Sequence, residues 1–282
     1  MIMQTNRTLL RVSFPAPDNQ DELVGRLDHP AFLGAEDTDG RLTVWFDPTK
    51  LKPSDVGAWL RHRIGVPIAE LEIEDVSTTD WLQQWRDSLE PITIAGVVTI
   101  MPSTTEAALA HTDIVIVLEP KMAFGTGHHA TTQLCIELLL ETVAPGQQWI
   151  DLGTGSGLLA IVAAKLGAAR VLALDCDADA LEEARENISA NGCAETVEVR
   201  QADVTVDELP RSDGIVANLH SELMLQISCR IASALSPGGT AIVSGILISQ
   251  SKQVEAELTG CGLSLLAKRE RGDWVALHLR KL

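Results

Sequence analysis

Basic residues are scarce in this chain: 22 Lys and Arg stand against 39 Asp and Glu in 282 residues, giving a formal charge of −17 and an isoelectric point near 4.7. A surface of that sign repels phosphate backbones, and no local run of Lys and Arg offsets it, so nucleic acid is not an expected substrate. Cysteines are few and scattered. Cys135, Cys176, Cys193, Cys229 and Cys261 form no C-x-x-C pair and have no His at ligand spacing, which argues against both a metal site and a disulfide framework and fits a reducing cytoplasm. Long apolar runs are missing as well: none approaches ~18 residues, and the start lacks a basic segment followed by an apolar core, so neither a membrane span nor secretion is expected. No internal repeat or low-complexity segment stands out. The balance, 45% hydrophobic and 22% charged, is that of a globular protein large enough for a substantial core and two domains.

The most informative segment is Trp149-Ile150-Asp151-Leu152-Gly153-Thr154-Gly155-Ser156-Gly157-Leu158-Leu159-Ala160-Ile161. A short apolar strand reaches an acidic residue, three alternating glycines permit a tight turn with close backbone approach, and an apolar helix follows at once. Backbone N–H groups at such a helix start favour an electron-rich ligand, which points to a nucleotide pocket. The dinucleotide fingerprint G-x-G-x-x-G makes room for a pyrophosphate. Here the spacing is G-x-G-x-G, and Asp151 in front of it would repel a diphosphate and attract a cation. S-Adenosylmethionine carries a sulfonium and an ammonium and no phosphate, so Asp151, Gly153 and Gly155 suit it. A nicotinamide dehydrogenase is disfavoured by the same spacing and by the lack of a hydride-transfer constellation.

The following strands extend the pocket. Arg170 to Asp175 is apolar and ends in a carboxylate 22 residues beyond Gly153, a spacing that suits hydrogen bonds to both ribose hydroxyls. Asp177 is placed to cap the helix Ala178 to Asn191. A third strand, Val197 to Gln201, leads to Asp203, which can accept from an adenine amino group or simply cap a turn. The fourth, Gly214 to Asn218, puts Asn218 at a strand end facing the site, where a plain turn Asn is the alternative. From residue 92 onward strands and helices alternate, so the fold class is α/β, a Rossmann-like, mostly parallel sheet covered on both faces.

The chain divides near residue 78. Before it, strands at Thr8 to Phe14, Phe32 to Glu36, Arg41 to Phe46 and Ile68 to Glu74, with helices at Gln20 to Leu27 and Ser54 to Arg63, give a βαββαβ order, a small α+β ferredoxin-like domain of a kind that usually binds a partner. Asp-Gly at 39–40 marks the hairpin turn. A connector over 78–91 carries Asp80 as the cap of a helix from Trp81 to Ser88, and the catalytic domain occupies 92–282. Pro120 to Thr132 then reads as a lid or pocket wall before a helix from Gln133 to Glu141, with Thr131 or Thr132 capping that helix or bonding a ligand carboxylate, and His128 and His129 serving as loop hydrogen bonders.

The loop Met122-Ala123-Phe124-Gly125-Thr126-Gly127-His128-His129-Ala130-Thr131-Thr132, together with Asp80-Trp81-Leu82-Gln83-Gln84-Trp85, the glycine turn, Ala217-Asn218-Leu219, Leu235-Ser236-Pro237-Gly238-Gly239, Ser244-Gly245-Ile246-Leu247 and Asp273-Trp274, resembles the PrmA family. The resemblance spans about residues 79 to 280. It implies a class I, S-adenosylmethionine-dependent methyltransferase that modifies lysine side chains and the N-terminal amine of ribosomal protein L11, with an N-terminal domain that recruits the substrate and a connector that swings the catalytic domain among target amines. By matching positions, Thr132, Gly153, Asp175 and Asn218 are implied to contact the cofactor. Lys121, His128, Ala130 and His220 depart from the residues usual in the family, and Lys121 and His220 bear on the acceptor side. A lysine methyltransferase of another protein, such as the β subunit of electron-transfer flavoprotein, is the alternative. A nucleic-acid amino-methyltransferase usually has Asn-Pro-Pro-aromatic where this chain has Asn218-Leu219-His220-Ser221.

Methyl transfer needs a neutral amine in line with the departing sulfur, so alignment and electrostatic preorganisation dominate. Deprotonating a free lysine of pKa ~10.4 at pH 7 costs on the order of 4–5 kcal/mol, which requires a proton exit. His220 is a conceivable acceptor, no obligatory base is evident, and Asn218 is placed to orient the amine.

Overall fold

The computed structural model describes residues 8–16, 27, 29–38, 40–77, 90–103, 112–119 and 125–282. They belong to two compact units, Met1–Leu89 and Glu90–Leu282. The expected helices over Gln20 to Leu27 and Trp81 to Ser88, and the lid residues 120–124, lie outside the described residues.

In the first unit, β1 (Thr8–Pro15), β2 (Phe32–Thr38), β3 (Arg41–Phe46), helix α1 (Pro53–Ile64) and β4 (Glu72–Ser77) follow in order. The sheet is antiparallel, in order β2-β3-β1-β4. Alternate residues Leu10, Val12 and Phe14 of β1 and Leu42, Val44 and Phe46 of β3 turn to one face, where Val56 and Leu60 of α1 close the core. The last strand starts four residues later than its apolar pattern suggests. Ile68–Glu70 forms a 3-10 turn instead, because Ile68 and Leu71, three apart, both pack against Gly57 of α1, a spacing that a turn satisfies and a strand does not.

The second unit begins with a small sheet, β5 (Ile92–Ile94), β6 (Val98–Pro102) and β7 (Ile114–Leu118), in that spatial order. There follow α2 (Ala130–Thr142), β8 (Gln148–Leu152), α3 (Leu158–Lys165), β9 (Arg170–Asp175), α4 (Ala178–Ala190), β10 (Val197–Gln201), β11 (Ser212–Asn218), α5 (Ser221–Ala234), β12 (Leu235–Leu247), α6 (Ile248–Gly260), β13 (Leu263–Arg271) and β14 (Trp274–Lys281). The seven-stranded sheet runs β10-β9-β8-β11-β12-β14-β13, parallel from β10 to β12, with β14 antiparallel to both its neighbours. Alternation divides each strand between two cores. Trp149, Val171, Ala173, Val216 and Ile242 face α2, α3, α4 and the small sheet; Ile150, Leu172, Leu174, Ile215 and Val243 face α5 and α6.

One expectation from composition is overturned. Cys229 and Cys261 form a disulfide, with Cα atoms 4.9 Å apart. α5 packs on α6, which brings Cys229 of α5 beside the residue that ends α6, within the Cα range a disulfide needs. Thirty-two residues of separation hide that proximity from a search for local pairs. The Glu257 carboxylate lies with the two sulfurs, all within 4.8 Å of one another.

Gly214 of β11 shows how tightly the centre of the sheet is packed. A Cβ there would sit 2.3–2.5 Å from the indole of Trp149, which is itself buried. Gly214→Ala is therefore expected to destabilise the protein by ~1–3 kcal/mol, seen as a lower urea midpoint; an unchanged midpoint would show that the indole yields freely.

Candidate cofactor site

The site assembles at the carboxyl ends of β8, β9 and β11. Register places Asp151 of β8 beside Ala173 of β9 and Val216 of β11, so Gly153, Asp175 and Asn218 emerge together along one rim. Gly153, Gly155 and Gly157 all adopt positive φ, 71°, 52° and 83°, the conformation that glycine enters without steric cost. At Gly157 a Cβ would also stand 3.3 Å from Cα and Cβ of Ala184, so this glycine lets the turn lie against α4.

Two carboxylates hold the turn. Asp151 has no solvent exposure; its Oδ2 accepts from Thr154 Oγ1 at 2.7 Å and from the Ala160 N–H at 3.1 Å. It thus closes the turn and satisfies one of the open N–H groups of α3. Its Oδ1 is buried without a hydrogen-bond partner. Burial pushes the Asp151 carboxyl up to about 7, the Thr154 and Ala160 hydrogen bonds oppose the shift, and the Asp175 charge adds to it. Asp175 Oδ2 accepts from the Gly155 N–H at 2.9 Å and Oδ1 from the Asp177 N–H at 3.1 Å. A carboxylate has about four acceptor positions, so both oxygens retain a lone pair for ligand hydroxyls. Asp177 caps α4 through the Asp179 N–H.

On the other side, Asn218 Nδ2 donates to Thr132 Oγ1 at 3.3 Å, which joins the end of β11 to the first turn of α2 and leaves the Asn218 amide oxygen as an acceptor. Asp203 is exposed, and its Oδ1 accepts from the N–H and Oγ1 of Thr205; those bonds hold its carboxyl below the ordinary range. It shapes its own turn and stands apart from the hydrogen-bonded set formed by the other candidates.

The loop histidines are structural. His129, not Thr131 or Thr132, caps α2, with Nδ1 3.4 Å from the Thr131 N–H and 2.7 Å from its hydroxyl, and its ring meets Trp274 edge-on at 4.9 Å. The helix accordingly starts three residues before Gln133. His128 Nε2 lies 3.1 Å from the Glu90 carbonyl. His220 caps α5, its Nδ1 accepting from the Leu223 N–H at 3.3 Å.

Residues outside the predicted set complete the frame. Asn187 of α4 donates to the Ser156 carbonyl at 2.9 Å and accepts from the Glu119 N–H at 3.0 Å; Asn191, one turn on, bonds both the N–H and the C=O of Val117. Two asparagines one turn apart on a helix are the signal in the sequence. Ser156 Oγ donates to the Gly125 carbonyl at 2.8 Å. Leu219 fits against glycine on two sides: a Cβ at Gly153 would meet its Cδ2 at 2.4 Å, and one at Gly245 its carbonyl oxygen at 2.4 Å.

These features fit S-adenosylmethionine. An unpaired buried carboxylate oxygen suits a cationic ligand, a second carboxylate with open lone pairs suits a ribose, and neither suits a pyrophosphate. The Asp151 shift has a thermodynamic consequence. The folded carboxyl binds its proton more tightly than the ~3.9 of an unfolded Asp, so its contribution is full below about pH 4 and is lost as pH rises to about 7. Unfolding free energy should therefore fall by up to ~4 kcal/mol more across that window in the wild type than in Asp151→Asn. Parallel pH profiles for the two proteins would contradict the assignment.

Comparison with known proteins agrees with this geometry. The family model described as ribosomal protein L11 methyltransferase (PrmA) matches residues 35–282. Proteins named ribosomal protein L11 methyltransferase from Listeria monocytogenes serotype 1/2a (strain 10403S) and Desulfitobacterium hafniense (strain DSM 10664 / DCB-2) are 39% identical over 215 residues and 42% identical over 205 residues. The alignments cover 75% and 73% of this chain, and 68% and 65% of those proteins. The crystal structure of ribosomal protein L11 methylase from Lactobacillus delbrueckii subsp. bulgaricus superimposes with a TM-score of 0.62 at 30% identity, over 69% of this chain and 99% of that one. The chain belongs to the ribosomal protein L11 methyltransferase (PrmA) family and is, with that family, an S-adenosylmethionine-dependent methyltransferase.

Proposed function

We propose that this enzyme methylates lysine side-chain and N-terminal amines of ribosomal protein L11, with Thr132, Asp151, Gly153, Gly155, Asp175, Asp203 and Asn218 serving the cofactor. The observation that carries the reading is the pairing of two carboxylates on one glycine turn, opposite the Asn218–Thr132 bridge. The cofactor supplies an electrophilic methyl group on a sulfonium. Asp175 would take the ribose, Asp151 holds the turn and would supply negative charge toward the cation, and Gly153 and Gly155 would let the backbone lie close. Asp203 serves the adenine edge through its second oxygen. The Asn218 amide oxygen, left free to accept by the Nδ2 bond to Thr132, would hold the incoming amine by a hydrogen bond, a contribution of alignment rather than of bond-making. His220 does not take the amine proton through Nδ1, which is committed to the Leu223 N–H. The proton leaves to water, and no metal takes part.

Residues 1–77 act as the recognition domain, 78–91 as the connector and 92–282 as the methyltransferase domain. At −17, the enzyme favours the free, basic ribosomal protein over particles coated in RNA; it works in the cytoplasm, acting directly neither on nucleic acid nor on membrane. The relatives described above carry the L11 name and lend no support to the flavoprotein β subunit as substrate.

Purified L11 incubated with the enzyme and cofactor should gain methyl increments by intact mass. Asp175→Ala should weaken cofactor binding by roughly ten- to hundredfold in calorimetry, the equivalent of a charge-assisted hydrogen bond of ~1.5–3 kcal/mol. An unmodified mass for L11 would remove it as substrate, and unchanged affinity would remove Asp175 from the ribose.

A further inference from the structure

Helix α4 lies against both β7 and the glycine turn, and one of its side chains bonds to each. The stripe that α4 buries is apolar at Ala184 and Ile188, yet Asn187 sits within it at 1% exposure. A side-chain amide so buried is costly unless it is paired. Here both ends are. Nδ2 donates to the Ser156 carbonyl at 2.9 Å, and Oδ1 accepts from the Glu119 N–H at 3.0 Å. An amide carries its donors on one tip and its acceptor on the other, so these two partners fix which way it points.

The spacing of the helix explains how one residue reaches both. The Ile114 N–H and the Leu118 carbonyl are spent on the β6 side, on Val97 and Ser103, so the alternate residues Val117 and Glu119 turn their N–H groups to the other edge of β7. Two strand residues span about 6.6 Å and four helix residues rise about 6 Å, so side chains one turn apart on α4 match that edge. Asn191 takes both the N–H and the C=O of Val117. Asn187 takes only the Glu119 N–H there, and its Nδ2 is left for the turn. At Ser156 the contacts meet: its carbonyl accepts from Asn187, its hydroxyl donates to the Gly125 carbonyl at 2.8 Å, and the next residue, Gly157, abuts Ala184.

We propose that Asn187 is a positioning residue for the cofactor: it holds Ser156, and with it Gly155 and Gly157, in the geometry that receives S-adenosylmethionine. The inference rests on the glycine turn being the cofactor site. Asn187 acts through the turn rather than by touching the ligand. Apparent affinity scales with the fraction of molecules whose site is competent, so a turn released at Ser156 binds more weakly even when the protein is fully folded. A residue that only packs would lower stability and leave affinity alone.

The test is calorimetric titration of the full-length protein with S-adenosylmethionine, at a temperature where circular dichroism shows each variant folded. Asn187→Asp keeps the shape and the acceptor for Glu119 but sets an oxygen against the Ser156 carbonyl. Affinity is expected to fall about tenfold. The Gly155 and Gly157 N–H groups, bonded to Asp175 and Thr154, should exchange faster in the free variant and recover at saturating cofactor. Asn187→Ser, which introduces no charge, should show the same two effects. Gly214→Ala, destabilised at the other end of β11, is the control for instability and should bind as the wild type does. Unchanged affinity in both Asn187 variants, or a loss no larger than that of Gly214→Ala, would overturn the proposal. Asp175→Ala separates it from the reading beneath it. If Asp175→Ala weakens binding and the Asn187 variants do not, the positioning role alone fails; if none of the three does, the turn fails as the cofactor site as well.

Discussion

A carboxylate sealed from solvent ties together the pieces on which the cofactor site depends. Asp151 ends the central strand β8, closes the glycine turn through Thr154 and satisfies the start of α3 through Ala160. Burying a carboxylate is costly unless it is well partnered, and here one oxygen is fully used while the other is left bare. Burial raises its proton affinity, with the Asp175 charge adding to the shift, and a cation bound nearby would oppose it. The neighbouring Asp175 fastens the same turn from β9, so two adjacent strands fix the three glycines before any ligand arrives. Preorganisation of this kind keeps the reacting groups from having to be ordered at the moment of transfer.

The frame extends outward by polar bridges rather than by apolar packing alone. Asn187 links the turn to the backbone of Glu119, Asn191 pairs with the edge of β7, and Ser156 grips Gly125. These bonds fix the backbone of Val117, Glu119 and Gly125. The Asn218–Thr132 contact likewise joins the end of β11 to the first turn of α2.

Much of this was legible in the residues. The G-x-G-x-G turn, the acidic ends of β8 and β9 and the run of alternating elements are local patterns, and β8, β9, β10 and β11 appear where their apolar residues put them. What escaped depends on contacts distant in sequence. The Cys229–Cys261 bond exists because α5 lies on α6, and the displaced start of β4 exists because Ile68 and Leu71 seek Gly57 rather than a strand partner. The cap of α2 went to His129 over two threonines because its ring is held by Trp274, more than a hundred residues away. Family resemblance implied Thr132 as a cofactor residue, and its hydroxyl accepts from Asn218, another residue so implied.

The central claim is that Asp151 and Asp175 hold the glycine turn as the cradle for the cofactor. Amide hydrogen exchange with and without S-adenosylmethionine tests it most directly. The account predicts slower exchange confined to residues 151–157, the start of α2 and the ends of β9 and β11. Protection that spares the glycine turn, or that falls instead at the amino ends of the strands, would contradict it.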